Sequence, residues 1–144
     1  MKTAYDWIFV IFLGIAAVYD WRERKIPVWL FAGAGVLTLL IMIWKEDRGI
    51  WDVILGFQVG ILLFLISKIV RGAIGEGDGI FFCISGILLG VEKNLLLLGG
   101  GVFVCGLYSV FLVLFGILAH ISVRKWRLPF LTFLFPVGIG VMLL

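Results

Sequence analysis

Val53-Ile-Leu-Gly-Phe-Gln-Val-Gly-Ile-Leu-Leu-Phe-Leu-Ile-Ser-Lys-Ile-Val70 runs from Asp52 to Arg71 with only Gln58, Ser67 and Lys68 as polar side chains. It approaches the roughly 20 residues that carry a helix across a bilayer core. Comparable apolar stretches lie on both sides of it: Ala4–Tyr19, Val28–Trp44, Gly79–Val91, Leu95–Ser122 and Leu128–Leu144. The chain is 63% hydrophobic, with a mean hydropathy of +1.22. A soluble domain of 144 residues cannot hide that much apolar surface, so the solvent for most of it is lipid. The expected fold is all-α: one polytopic unit, residues 1–144, built as a bundle of six transmembrane helices.

The distribution of charge, rather than its net value of +3, orients the bundle. With six spans, one side receives Arg22, Arg24, Lys25, Lys68, Arg71, Arg124, Lys125 and Arg127. The other receives Lys2, Lys45, Arg48 and Lys93. The positive-inside rule then places both termini outside. Making the short Gly79–Val91 segment re-entrant moves Arg124, Lys125 and Arg127 outside and spoils the asymmetry. It is therefore read as a span, with local bilayer thinning covering the mismatch. Trp7, Trp44 and Trp51 fall near the outer boundary, and Trp21, Trp29 and Trp126 near the inner one, as indole rings do in interfacial belts. Ala4–Val18 behind Lys2 looks like a signal-peptide core. It runs straight into Tyr19-Asp20 and a basic loop without a small-x-small site, so it is read as a retained first span.

Several chemistries are eliminated on residue type. A single histidine, His120, cannot build the His-x-x-x-His zinc site of a metalloprotease. Cys83-Ile-Ser85-Gly86 lacks the first glycine of a rhomboid-type Gly-x-Ser-Gly. Cys83 and Cys105 form no Cys-x-x-Cys pair and read as small apolar residues inside spans. Gly56-x-x-x-Gly60 and Gly86-x-x-x-Gly90 each put two glycines on one helix face, read as close packing within the chain, with a dimer motif as the alternative. Gln58, in mid-span, is expected to hydrogen-bond to a neighbouring helix.

Asp20 and Asp78 stand out among the acids. Asp6, Glu46, Asp47, Asp52 and Glu92 belong to the outer side and read as solvated charges; Asp20, Glu23, Glu76 and Asp78 belong to the inner side. Asp20 ends the first span and Asp78 begins the fourth, and a carboxylate at the edge of hydrocarbon is costly. If the two helices pack, the carboxylates face each other at the cytoplasmic lip. Gly75, Gly77 and Gly79 bracket Asp78 in what reads as an active-site loop able to hold it against a partner helix. Pro27 suits the start of the second helix. A phosphate-binding reading of the glycines fails, because no Lys-Ser/Thr follows and Glu76 and Asp78 repel an anion.

Two close carboxylates resist joint ionisation, so the pair holds one proton. One member then takes a proton from water while the other donates to an amide carbonyl. Which member does which is left open at this point, since such titrations belong to the pair. Glu23 and Glu76 border the pair and are candidate contacts for a basic peptide, with pairing to Arg22, Arg24 or Arg71 as the alternative.

Asp20-x-Arg22 followed by Ile26-Pro27, then Gly75-x-Gly77-Asp78 opening a short span, resembles the type IV prepilin peptidase family of membrane aspartic proteases. Leu128-Pro129-Phe130 entering the last span is similar to that family's carboxy-terminal region. Tyr19-Asp20 with Gly75-x-Gly77-Asp78 also resembles presenilin and signal-peptide-peptidase proteins, but Ile26-Pro27 and the short separation of the aspartates fit prepilin peptidases better. The resemblance implies cleavage of a short basic leader from prepilins or pseudopilins, typically after glycine, at the cytoplasmic face of a prokaryotic plasma membrane. It implies Asp20 and Asp78 as the catalytic pair. Larger members carry a cytoplasmic Cys-x-x-Cys insertion and also methylate the new terminus. This chain has no such insertion, so peptidase activity without methyl transfer is expected. No cofactor, metal or nucleic-acid partner is expected; the partners are precursor peptides and the lipid bilayer. Val28 stands where the family often has asparagine, and Gly79-Ile80 follow Asp78 where it often has lysine two places on. A proton-coupled carrier and a non-catalytic secretion-assembly partner are the alternatives.

Overall fold

Inside hydrocarbon a single segment satisfies its own backbone polar groups only as a helix, and the described residues form six helices and no strand. The computed structural model describes residues 4–23, 26–44, 49–70, 75–119 and 129–144. The elements are α1 (Ala4–Glu23), α2 (Val28–Trp44), α3 (Ile50–Ile69), α4 (Glu76–Leu89), α5 (Val91–Leu118) and α6 (Phe130–Leu143). Of these, α3 and α5 are long and apolar enough to cross a membrane, while α2 and α6 are apolar but shorter. The basic loop residues Arg24, Lys25, Arg71, Arg124, Lys125 and Arg127 lie outside the described residues. So do His120, Trp126, Leu128 and the outer charges Lys2, Lys45, Glu46, Asp47 and Arg48.

Helix ends run past the apolar segments. α1 continues through Asp20, Trp21 and Arg22 to Glu23, and α4 already begins at Glu76. Helical hydrogen bonding does not stop where hydrocarbon stops, and Arg and Glu are good helix formers. The largest difference from expectation lies between α4 and α5. An outer loop carrying Glu92 and Lys93 is replaced by one residue, Gly90, at φ 80 and ψ 176, with Glu92 and Lys93 inside α5. The Gly90 N–H donates to the Gly86 carbonyl (2.9 Å) and its own carbonyl accepts from Asn94 (3.2 Å), so the ladder is held on both sides of the break. The positive φ is glycine's region, and a Cβ here would also strike the Asp52 carboxylate. Asp52, expected to be a solvated charge, accepts the Val91 N–H at 2.9 Å instead. It caps α5 at the end where the helix dipole favours an anion.

α3 and α4 form the closest pair. A Cβ on Gly56 would meet the Gly86 backbone and the reverse, one on Gly60 would meet the Cys83 backbone, and one on Gly79 would meet Phe64 of α3 at 2.7 Å. The two Gly-x-x-x-Gly faces thus pack against one another inside the chain, as small residues permit. A buried polar knot ties α5 to this crossing. Asn94 and Ser85 are fully buried. The Ser85 hydroxyl donates to Asn94 Oδ1 (2.7 Å), and the Asn94 amide donates to the carbonyls of Gly56 and Phe82 (3.2 Å each). Gln58, by contrast, lies on the exposed face of α3 rather than against a neighbour. α1 docks on α4 through aromatic rings, Phe12 stacked on Phe81 at 5.1 Å and Phe9 against Phe81 at 6.4 Å. Cys83 and Cys105 are free thiols, each half-buried.

The exposed positions Trp7, Trp21, Trp29 and Trp51 point outward, as interfacial indoles do. Close backbone contact is the test of the α3–α4 crossing. Gly86→Ala should lower unfolding free energy by about 1–3 kcal/mol through overpacking. Gly99→Ala, where a Cβ meets nothing within 4 Å, should not destabilise the protein. Thermal denaturation of both variants in the same detergent checks this.

Candidate active site

The core faces of two helices end in the two aspartates. α1 buries Phe9, Leu13 and Ala16 completely, and helical steps of three and four residues along that face arrive at Asp20. α4 buries Phe81, Phe82 and Ser85 completely, and Asp78 precedes this run on the same face. The Phe12–Phe81 stack joins the helices. Asp20 and Asp78 then lie close enough for the charge of one to act on the other. The structure brings the pair together at one end of the aromatic core.

The two carboxylates have different surroundings. Oδ2 of Asp20 accepts the Leu131 N–H at 2.9 Å. Leu131 is the second residue of α6, behind Pro129 at the N-cap, whose own side chain makes no capping hydrogen bond. One turn back along α1, the Ala17 carbonyl accepts the Thr132 hydroxyl at 3.2 Å. Two adjacent residues of α6 therefore fix its start against the end of α1. The backbone N–H of Asp78 donates to the Gly75 carbonyl at 3.0 Å. Its carboxyl lies beside Gly75, where a Cβ would stand 3.1 Å from Oδ2.

Asp78 sits just ahead of the apolar segment that begins at Gly79. Burial, and secondarily the negative charge of Asp20, raise its carboxyl from 3.8 to about 7, against a backbone hydrogen bond from Gly75.

The glycines act differently from expectation. Gly77 and Gly79 belong to the first turns of α4, and only Gly75, extended at φ −68 and ψ 134, precedes it. The stretch is a helix start rather than an open loop, because Asp78 closes a turn on Gly75. Gly79 serves the close approach to Phe64. A Cβ added at Gly77 would stand 3.8 Å from Phe31 and 3.9 Å from Ile26, ordinary contact distances. Gly75 and Glu76 are exposed beside the pair, and Glu23 is exposed at the end of α1. Glu76 pairs with Lys68 at 3.0 Å rather than with Arg22. Both partners of that pair are exposed, so it contributes little to stability.

Sequence reading passed over several residues that shape the region: Leu131 and Thr132 of α6, and the Ser85–Asn94 knot. Asp6, placed among solvated charges, is 3% exposed. Its signal was available, since it precedes Phe9 by three residues on the buried face of α1. Asn94 likewise precedes buried Leu97 by three.

A helical chain with long apolar helices and a carboxylate pair at one end of its core has what a membrane aspartic peptidase requires. Its family is now identifiable: the model of the type IV leader peptidase family matches residues 7–110, and the chain belongs to that family. Its general activity is accordingly that of an aspartic-type, prepilin-type leader peptidase of the membrane. Comparisons with curated proteins and with solved structures give no significant match.

The Asp78 environment has a sign that stability measurements can read. A folded value of about 7 against 3.8 means the folded state holds the proton more tightly. This group therefore favours folding below about pH 4, and that contribution is lost as pH rises to about 7. Asp78→Asn removes the effect. The melting temperature of the variant minus that of the native protein should grow from pH 5 to pH 8; a constant or shrinking difference contradicts it.

Proposed function

We propose that this protein is a six-span aspartic endopeptidase that removes the short basic leader from prepilin or pseudopilin precursors. It works at the cytoplasmic face of a prokaryotic plasma membrane, with Asp20 and Asp78 as its catalytic pair. Residues 1–144 act as one peptidase unit, with both termini on the outer side. The observation that carries this reading is the convergence of the two aspartates, one near-neutral in its titration, within the residues matched by the family.

The pair holds one proton between its two carboxyls. The ionised member draws a proton from water as the water oxygen attacks the peptide carbonyl. The protonated member donates to the carbonyl oxygen, and a carboxyl proton later reaches the departing nitrogen. Exposed Gly75 beside Asp78 leaves backbone accessible to an extended peptide at the cleavage point. Glu76 and Glu23 lend the entrance negative charge that attracts a basic leader. Lys68 already neutralises part of it, so a leader cation exchanges with Lys68 rather than meeting a bare carboxylate. The chain lacks the Cys-x-x-Cys insertion associated with methyl transfer, and its action is proposed to end at peptide cleavage.

A proton carrier needs polar groups that lead from one face to the other. Ser85 and Asn94 are buried polar groups between the pair and the opposite end of α4, and they are engaged with each other and with the Gly56 and Phe82 carbonyls. That engagement favours the peptidase.

Cleavage of a prepilin reconstituted with the enzyme in lipid is the direct measurement. Asp20→Asn and Asp78→Asn should each reduce processing by about 10²–10⁴-fold, the scale of a lost general acid or base, with protein levels near native. Native-like processing by either variant rejects the pair. Glu76→Lys should raise KM severalfold for a leader rich in Lys and Arg; an unchanged KM assigns Glu76 to its pairing with Lys68 alone.

A further inference from the structure

α6 meets the site through its backbone. The Leu131 N–H is one of the donors that a helix leaves unpaired in its first turn, and here it is spent on Oδ2 of Asp20 at 2.9 Å. Thr132, the next residue, holds the Ala17 carbonyl at 3.2 Å and fixes the register of the two helices. Pro129 at the N-cap has no N–H of its own, and its side chain makes no capping hydrogen bond. Asp20 thus occupies the position of a cap, supplied from another helix. A hydrogen bond from a backbone N–H and the positive end of a helix dipole both stabilise a carboxylate over a carboxylic acid. Asp78 also has a helix start and a backbone hydrogen bond from Gly75, but burial and the charge of Asp20 outweigh them. It lies in the first turn of α4, its own N–H is turned back onto Gly75, and burial penalises its charge. Among the described residues, the other charged groups at this end of the helices are Arg22 and Glu23 on α1, Glu76 on α4 and Lys68 on α3, and the described parts of α2 and α6 carry none. The Asp20–Leu131 contact reaches outside residues 7–110, the part matched by the family.

We propose that the start of α6, through the Leu131 N–H, divides the labour of the pair: it holds Asp20 as the carboxylate that receives the proton of water and leaves Asp78 as the acid. Leu131 is a positioning residue, acting through Asp20. The inference rests on the reading of Asp20 and Asp78 as the catalytic pair. Water oxygen forms a bond to the peptide carbonyl carbon while one water proton passes to Asp20 and the Asp78 proton passes to the carbonyl oxygen. The product is a neutral gem-diol, with Asp20 protonated and Asp78 ionised. In the second step the Asp20 proton moves to the amide nitrogen and one gem-diol hydroxyl returns its proton to Asp78. The carbon–nitrogen bond then breaks, releasing an amine and a carboxylic acid. The pair ends as it began.

The test exchanges one backbone N–H for an oxygen in the full chain. Leu131 is replaced by its α-hydroxy analogue, so that an ester oxygen stands where the N–H was and the buried leucine side chain is kept. The same exchange at Thr132 is the control. With a prepilin substrate in lipid, the Leu131 ester should lower kcat at least fivefold near pH 6. It should move the acidic limb of the kcat profile upward by half a pH unit or more and leave KM within twofold. The Thr132 ester should leave that limb in place. Infrared difference spectra of the native protein at pH 6 should show a protonated carboxyl band that Asp78→Asn loses and Asp20→Asn keeps. An acidic limb unmoved by the Leu131 ester, or a band lost in Asp20→Asn instead, overturns the division of labour. Either result leaves the catalytic pair standing provided both Asp→Asn variants are inactive; cleavage by those variants is what defeats the pair itself.

Discussion

The close crossing of α3 and α4 is the constraint on which the remaining geometry depends. At Gly56 against Gly86, and at Gly60 against Cys83, backbone meets backbone with no space for a Cβ. In lipid there is no hydrophobic drive to press two apolar helices together, so close packing and buried hydrogen bonds must hold them. The crossing supplies the first and the Asn94 amide the second, reaching the Gly56 carbonyl from α5. The arrangement also limits sliding. A shift of α4 by one residue along α3 sets side chains where glycines must be, and the Asn94 bonds then lose their partners.

That limit matters for the acids because Gly79, the next residue after Asp78, belongs to the same contact, lying against Phe64. A helix advances about 100° per residue, so a slip of one position rotates Asp78 away from α1. The stack of Phe12 on Phe81 fixes the second coordinate, the approach of α1 to α4. Asp20 and Asp78 continue the core-facing stripes of their helices, and packing that satisfies the aromatic residues therefore also brings the carboxylates together. Placing two acids at the edge of hydrocarbon costs free energy that apolar packing must offset.

Much of this was legible in the chain. Val28–Trp44 coincides with α2, and the other apolar segments locate their helices to within a few residues, because lipid leaves helix as the only solution for such runs. The aspartates were legible for a physical reason as well: a carboxylate next to an apolar span is rare enough to be informative. What escaped was set by tertiary contact. Nothing in Glu92-Lys93 shows that both lie inside a helix, since that depends on Gly90 adopting φ 80 against Asp52 of another helix. The Gly75-to-Gly79 run suggested freedom, and in the fold it provides proximity. Composition does not separate the two uses of glycine. Asp6 was misplaced because its charge outweighed its position three residues before Phe9.

The contact between Asp20 and Leu131 connects these themes, since it turns a fold-level necessity into an electrostatic one. The first N–H groups of a helix need acceptors, and at the edge of a membrane water is not always the one supplied. Here a carboxyl oxygen from α1 supplies it, so one bond gives the start of α6 its acceptor and, on the proposed division of labour, offsets the cost of an ionised Asp20. A lysine in that place would swing, and the basic leader of the proposed substrate would compete with it for the carboxylate. A backbone N–H does neither, being fixed by the helix it begins. On the proposed division of labour, the asymmetry of the pair resides in the packing of α1 on α6, held by Thr132 on the Ala17 carbonyl.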